Sequence, residues 1–175
     1  MKPNMGKGDK GKTDVFGRKL SKSSKLIGLI GMIDELNSII GMTRSLNKHD
    51  DLDKIMKDIQ DHLMNISSLL AGYKNIDIEY IDHKKLESYI NQLEKEITPI
   101  NKFIFPNGTP EAAILHIARS FCRKVEREAF IISEEFDIHP NILSYLNRLS
   151  DVLFTMARVE NKRNKKDDEF WSPKT

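Results

Sequence analysis

Thr109-Pro110-Glu111-Ala112-Ala113-Ile114-Leu115-His116-Ile117-Ala118-Arg119-Ser120-Phe121-Cys122-Arg123-Lys124-Val125-Glu126-Arg127 carries both a helix start and a helical period. A threonine oxygen can accept the free amides of a first turn, proline suits the first helical position, and glutamate complements the positive end of the helix dipole. Ile114, Ile117, Phe121, Val125 and Ile132 recur on one face, which predicts a helix to about Phe136. A second stripe, His116, Arg119, Arg123, Glu126 and Arg127, runs beside it. On one helix taken alone that stripe reads as a solvated outer face.

The same period extends in both directions. Leu26, Ile30, Ile33, Leu36 and Ile40 predict a helix to about Leu46. Leu52, Ile55, Ile59, Leu63, Ile66 and Leu70 predict another over 50–70, capped by Asp50 or Asp51 and closed by Gly72. Residues 73–81 read as a linker. A third helix runs from about Asp82 to Ile97, before Pro99. Phe103-Ile104-Phe105-Pro106-Asn107-Gly108 reads as a turn, and Pro140 opens a last helix to about Asn164, with Leu143, Leu146, Leu149 and Leu153 on its core face. No stretch reads as a strand. Five helices with mostly short connections predict an all-α, up-and-down five-helix bundle with a ferritin-like, four-helix-bundle-like core. The single domain, 1–175, divides into a basic loop segment (1–24), the bundle (25–164) and a tail (165–175).

A chain of 175 residues can bury a sizeable core, and 39% hydrophobic with 31% charged residues fits a soluble globular protein. No apolar run reads as approaching the ~20 residues of a membrane helix, and no signal peptide is visible. The lone Cys122 excludes an internal disulfide and a multi-cysteine zinc site and points to the cytoplasm. The net charge of +2 hides an asymmetry: residues 1–25 hold eight basic side chains against Asp9 and Asp14, on an otherwise acidic body. Such a segment points to a local anion site. The lysines are not interleaved with aromatics, which argues against nucleic acid as partner.

Gly6-Lys7-Gly8-Asp9-Lys10-Gly11-Lys12-Thr13 matches G-x-x-x-x-G-K-T letter for letter. A P-loop needs a strand before that motif and a helix after it. Only five residues precede this one, and Asp14-Val15-Phe16-Gly17-Arg18 is too short and glycine-bounded to be the helix, so it is no P-loop. Close-spaced glycines still let backbone amides converge on an anion while lysines supply charge.

Polar stripes recur on the other long helices. Gly31, Asp34, Ser38, Gly41 and Ser45 lie along one line of the first. Asn147, Ser150, Asp151, Phe154 and Arg158 form a mixed stripe on the fifth. Small residues permit close approach of another helix or subunit, where Asp34 would want an arginine such as Arg119. Three such stripes favour a second interface. No histidine follows a glutamate by three residues, as di-iron bundles require. Asp58 with His62, or Glu79 with His83, reads as a surface pair rather than a ligand set, and no protein metal site is expected. Cys122 reads as core.

Five pieces together resemble the ATP:cob(I)alamin adenosyltransferases of the trimeric helical-bundle, PduO type: Gly8-Asp9-Lys10-Gly11-Lys12-Thr13, Gly31-Met32-Ile33-Asp34-Glu35-Leu36-Asn37-Ser38, Lys102-Phe103-Ile104-Phe105-Pro106-Asn107-Gly108, His116-Ile117-Ala118-Arg119 with Arg123-Lys124-Val125-Glu126-Arg127, and Asn147-Arg148-Leu149-Ser150-Asp151. They occur in family order and spacing over about 5–161. The resemblance implies a homotrimer with sites between subunits, which transfers the 5′-deoxyadenosyl group of ATP to the cobalt of reduced cobalamin and releases triphosphate, with Mg²⁺ on the phosphates. It assigns Lys7, Gly8, Asp9, Lys10, Gly11, Thr13, Lys22, Arg123, Glu126, Arg127 and Asn147 to ATP. Phe103 and Phe154 are assigned to the corrin, Asp34 and Arg119 to a pair bridging subunits, and Arg123, Phe103 and Asn147 to catalysis. A reductase and an adenosylcobalamin-dependent acceptor enzyme are the implied partners.

The chain departs from the family at Met5 and Gly6, where a threonine and a basic residue are usual, and at Asn107, a family glycine that asparagine replaces if its backbone is left-handed. These departures leave open a second reading: a catalytically impaired ATP- and corrinoid-binding trimer acting as sensor or carrier.

Overall fold

A computed structural model describes residues 8–16 and 18–173, with Arg18 described by its backbone alone. Lys7, Met5 and Gly6 lie outside the described residues. Five α-helices dominate: α1 (Lys25–Leu46), α2 (Asp50–Leu70), α3 (His83–Leu93), α4 (Pro110–Ser133) and α5 (Pro140–Arg163). Two short strands precede them, β1 (Lys12–Val15) and β2 (Arg18–Ser21), paired antiparallel with Lys12 opposite Ser21 and Val15 opposite Arg18. This hairpin corrects the strand-free reading. Four residues a side, half of them charged, carry too weak an alternation to be visible in sequence.

Contacts at the helix ends fix the directions. Lys25, opening α1, pairs with Glu135 just past α4. Arg44 near the end of α1 grips Asp53 in the first turn of α2 through two 2.9 Å bonds. Thr109 N–H, before α4, donates to Asn161 near the end of α5 (3.0 Å). Glu87 of α3 meets Arg148 of α5, and Glu96 meets Arg163. The helices therefore run alternately up and down. One end of the bundle carries the hairpin, the "loop end". The other carries Phe103, Phe105 and the tail, the "aromatic end".

Helix starts follow the expected chemistry at three places. Thr109 Oγ1 accepts Ala112 N–H (3.1 Å), His139 Nδ1 accepts Asn141 N–H (3.2 Å), and Asp82 Oδ1 accepts Lys84 N–H (2.8 Å). At α2 the expectation fails. His49 holds the cap position without a side-chain bond, and Asp51 is drawn instead to Arg163 at 2.7–2.8 Å, which holds its carboxyl down at about 2. Two ends come early: α4 stops at Ser133, and α3 at Leu93 with a 3₁₀ turn over Glu94–Glu96.

The core is one cluster drawn from all five helices, including Leu29, Ile33, Leu36, Ile59, Leu63, Leu86, Val125, Leu149 and Leu153. Each such side chain contributes ~1.5–3 kcal/mol on burial. Helix α1, packed against both α2 and α4, is long and apolar enough by length and composition to cross a membrane, contrary to the sequence reading. In this fold its apolar stripe, Leu26, Leu29, Ile33, Leu36 and Ile40, is core. On α4 Ile114, Val125 and Ile132 are buried as expected, but Ile117 is 56% exposed, Phe121 half-buried, and His116 of the polar stripe buried. Cys122 is buried as expected, its Sγ donating to Leu146 O (3.4 Å) and its thiol pushed well up by burial.

His62 is likewise buried rather than at the surface, with Nδ1 3.0 Å from Tyr145 Oη, while Asp58 accepts from Lys85 (2.6 Å) and Tyr89 (2.9 Å). Burial lowers the pKa of both His62 and His116, and the nearby Arg119 lowers His116 further. A lowered folded pKa means that the unfolded chain takes up protons first. The stability from these two neutral rings is complete above ~6.5 and is lost as pH falls below it. Glu160, raised by burial, works with the opposite sign. We expect the urea midpoint to fall between pH 7.5 and 5.5, and the fall to be shallower in His62→Asn/His116→Asn. Equal slopes in the two proteins would contradict the assignment.

Candidate functional site

The loop end holds the basic segment. Residues 8–11 turn back over β2, so that Lys22 N–H donates to Gly11 O (2.9 Å), and a methyl group placed on Gly8 would lie 2.9 Å from Lys22 Nζ. Gly8 thus leaves room for the lysine, and Gly11 adopts φ +72°, a left-handed geometry that suits glycine. Asp9 and Lys10 are exposed at the turn, and Thr13 stands on β1. The P-loop reading is excluded by structure too, because a strand follows Thr13 where that motif needs a helix. Phe16 at the hairpin tip has φ +48° and stacks on Tyr73 (centroids 4.9 Å), which ties the hairpin to the end of α2.

Arg123 and Arg127 are exposed on α4 and Asn147 is exposed on α5, with Glu126 half-buried. The Cys122–Leu146 bond sets Arg123 and Asn147, the next residues in each helix, at one level. Neither arginine makes an ion pair among the described residues. No hydrogen bond or ion pair ties these side chains to Gly8–Thr13 within one chain. Within one chain the loop cations and the α4–α5 cations are therefore two separate groups.

Further toward the aromatic end Phe154 is half-buried. Arg119 lies 5.2 Å and Arg158 5.9 Å from its ring centroid, with the His116 ring at 6.1 Å. Cations this close to an aromatic face are attracted by its quadrupole. Sequence reading placed Arg119 and Phe154 in separate roles, and the fold joins them. Asp34 is exposed on α1, and neither it nor Arg119 has a carboxylate–cation partner among the described residues. Both His116 nitrogens are buried without a hydrogen-bond partner.

Phe103, 79% exposed, stands at the far end. The tail holds it there: Trp171 N–H donates to Phe103 O and Phe105 N–H to Glu169 O, both 2.8 Å, with Ile104 bridged to Phe170 and the Phe103 and Trp171 rings 6.3 Å apart. Gly108, at φ +121°, takes the strained position of the following turn, and Asn107 does not, contrary to the left-handed expectation. The Asn107 amide instead donates to Glu169. Buried Asn161 clasps this turn, donating to Asn107 O and accepting from Thr109 N–H. Sequence reading missed Asn161. Its one signal, an amide among apolar residues near a helix end, is shared by many exposed asparagines.

These features define a helical bundle with a basic glycine loop at one end, arginines without ion pairs along α4 and an exposed phenylalanine at the other end. Comparison with known proteins gives that class its family. The model of the cobalamin adenosyltransferase family matches residues 4–160, and the chain belongs to that family. It is 37% identical over 168 residues to the corrinoid adenosyltransferase of Bacillus subtilis, covering 90% of this chain and 85% of that one. It is 32% identical to the cobalamin adenosyltransferase of Cupriavidus metallidurans, covering 94% and 90%. A variant PduO-type ATP:corrinoid adenosyltransferase from Lactobacillus reuteri, solved with cobalamin and ATP, superposes with a TM-score of 0.88 at 31% identity, covering 97% and 96%.

Proposed function

We propose that this chain transfers the 5′-deoxyadenosyl group of ATP to the cobalt of cob(I)alamin or a related corrinoid, as a cytoplasmic homotrimer with its sites between subunits. The observation that carries the reading is the likeness, over nine-tenths of the chain, to a corrinoid adenosyltransferase. The separation of loop and α4–α5 cations within one chain supports a site completed across a boundary. The exposed small-residue line of α1, with Asp34 facing Arg119 of a neighbour, supplies a boundary of the right chemistry.

Reduced cobalt is itself the nucleophile. Its electron pair forms the Co–C bond as the C5′–O bond breaks, and the bonding pair leaves with triphosphate. No serine or cysteine nucleophile is required. The protein's tasks are alignment of carbon with cobalt and stabilisation of the leaving charge. Gly8, Asp9, Lys10, Gly11, Thr13 and Lys22, with Lys7 from outside the described residues, strap the triphosphate. Arg123, Arg127 and Asn147 complete its shell, with Glu126 on the nucleoside side. Magnesium would be carried on the phosphates of ATP, where it would offset part of their charge. Phe103 presses on the lower face of the corrin and displaces the axial ligand, which makes cobalt easier to reduce, and Phe154 forms a second wall. A reductase would supply the electron and an adenosylcobalamin-dependent enzyme would take the product.

Mixing protein, Mg-ATP and chemically reduced cobalamin in the dark should yield adenosylcobalamin and triphosphate. Tight ATP binding without either product would instead identify a non-catalytic sensor or carrier. Phe103→Ala should slow reaction from cob(II)alamin with a reductant by at least about tenfold more than reaction from preformed cob(I)alamin, since each tenfold reflects about 1.4 kcal/mol. Equal losses on both would show that Phe103 only shapes the pocket.

A further inference from the structure

A cavity of ≈ 320 Å³ opens at the aromatic end, between the Ile97–Ile100 segment, the end of α5 and the tail. That is enough for part of a small-molecule ligand. Ile97, Pro99 and Phe170 form an apolar wall. Arg158 lies in the floor with its charge already used: Nη2 donates to Thr98 O (2.6 Å) and Nε to Asp168 (2.9 Å). Lys162, at the end of α5, and Lys166, just past it, line the cavity and make no ion pair among the described residues. Asp167 is the remaining acidic side chain of the lining.

The tail ribbon connects this cavity to Phe103. Phe170 bridges Ile104, and Trp171 pairs with Phe103. Successive residues of an extended strand face opposite sides. The ribbon thus shows Phe103 and Trp171 on one face and turns Phe170 into the cavity on the other. The two faces are one ribbon apart.

We propose that this cavity receives the detached nucleotide tail of the corrinoid substrate, with Lys162 and Lys166 on its phosphodiester and the freed lower base against Phe170 and Pro99. The proposal rests on the adenosyltransferase reading and deepens it. A base pushed off cobalt by Phe103 still hangs from the lower side of the ring on a flexible anionic linker, and it must go somewhere on that side. A site that binds the detached tail but not the coordinated one shifts the equilibrium toward the detached form, because only differential affinity moves a two-state balance. Phe103 and the cavity then act on the same step from opposite faces of one ribbon.

The test compares cobalamin with cobinamide, which lacks the nucleotide tail, using chemically reduced corrinoid and saturating Mg-ATP. Lys162→Ala/Lys166→Ala should raise KM for cobalamin about five- to tenfold, as expected for two partly exposed charge contacts, and leave kcat and the cobinamide KM unchanged. Phe170→Ala should give the same selectivity. A rise of equal size for both corrinoids, or no rise for either, overturns the proposal while the transferase reading stands. If the wild-type protein adenosylates neither corrinoid, the transferase reading has failed and the proposal fails with it.

Discussion

Arg123→Ala is expected to lower kcat for adenosyl transfer about 10²–10³-fold, the range found when one preorganised donor to a developing anion is removed. As the C5′–O bond breaks, charge accumulates on the departing triphosphate. A guanidinium with no carboxylate partner of its own can meet that charge without first giving up another bond. Arg123 is exposed on α4 and level with Asn147, so its loss removes no contact from the core. The melting temperature should therefore stay within the usual range for surface substitutions. Arg123→Lys keeps the charge but not the planar fork, and should recover part of the rate. Stopped-flow or steady-state measurement of adenosylcobalamin formation decides the matter. Near-wild-type kcat in Arg123→Ala would remove this residue from the reaction.

Gly108→Ala should be strongly destabilising, by about 3–5 kcal/mol from left-handed strain, overpacking and an orphaned amide together. The backbone there is at φ +121°, and a β-carbon would fall 1.9 Å from Asn161 Oδ1. That oxygen cannot simply withdraw, because it accepts Thr109 N–H at the start of α4 while the amide of the same side chain donates to Asn107 O. For a domain of this size the loss corresponds to a melting point lower by roughly 10 °C. Thermal unfolding followed by circular dichroism reads the shift. Gly108→Ala/Asn161→Gly, which removes the clash and keeps the strain, should recover part of it. A Gly108→Ala protein melting with the wild type would disprove the clasp.

Much of the helical framework was legible because it depends on local rules. The 3.6-residue period of α1, α2, α4 and α5, the Thr109-Pro110-Glu111 start and Pro140 predict those helices to within a few residues. The errors cluster where a tertiary partner outbids a local preference. Asp50 or Asp51 looked like the cap of α2, but His49 holds that position and Arg163 binds Asp51. His62 and His116 looked solvated, but the core closes over both. The β1–β2 hairpin was invisible because strand pairing depends on what lies opposite, and eight mostly polar residues carry only a weak two-residue alternation.

The candidate site divides along the same line. Its ingredients were present in the sequence: a glycine-lysine loop, a stripe of arginines and a phenylalanine in a turn. They are short, chemically distinctive and placed by local structure, so the resemblance to the cobalamin adenosyltransferase family was legible in the sequence. Their arrangement was not present. Phe154 between Arg119 and Arg158, the tail strand that fixes Phe103, and the lysine-rimmed cavity behind Phe170 all join segments more than fifty residues apart or on different helices. The sequence by itself determined the helices and the chemical kinds of side chain available to the site. Only the tertiary structure decided which of them meet, because a side chain's neighbours are set by how whole helices pack, and half a turn of rotation about a helix axis moves a residue between core and solvent without changing a letter of the chain.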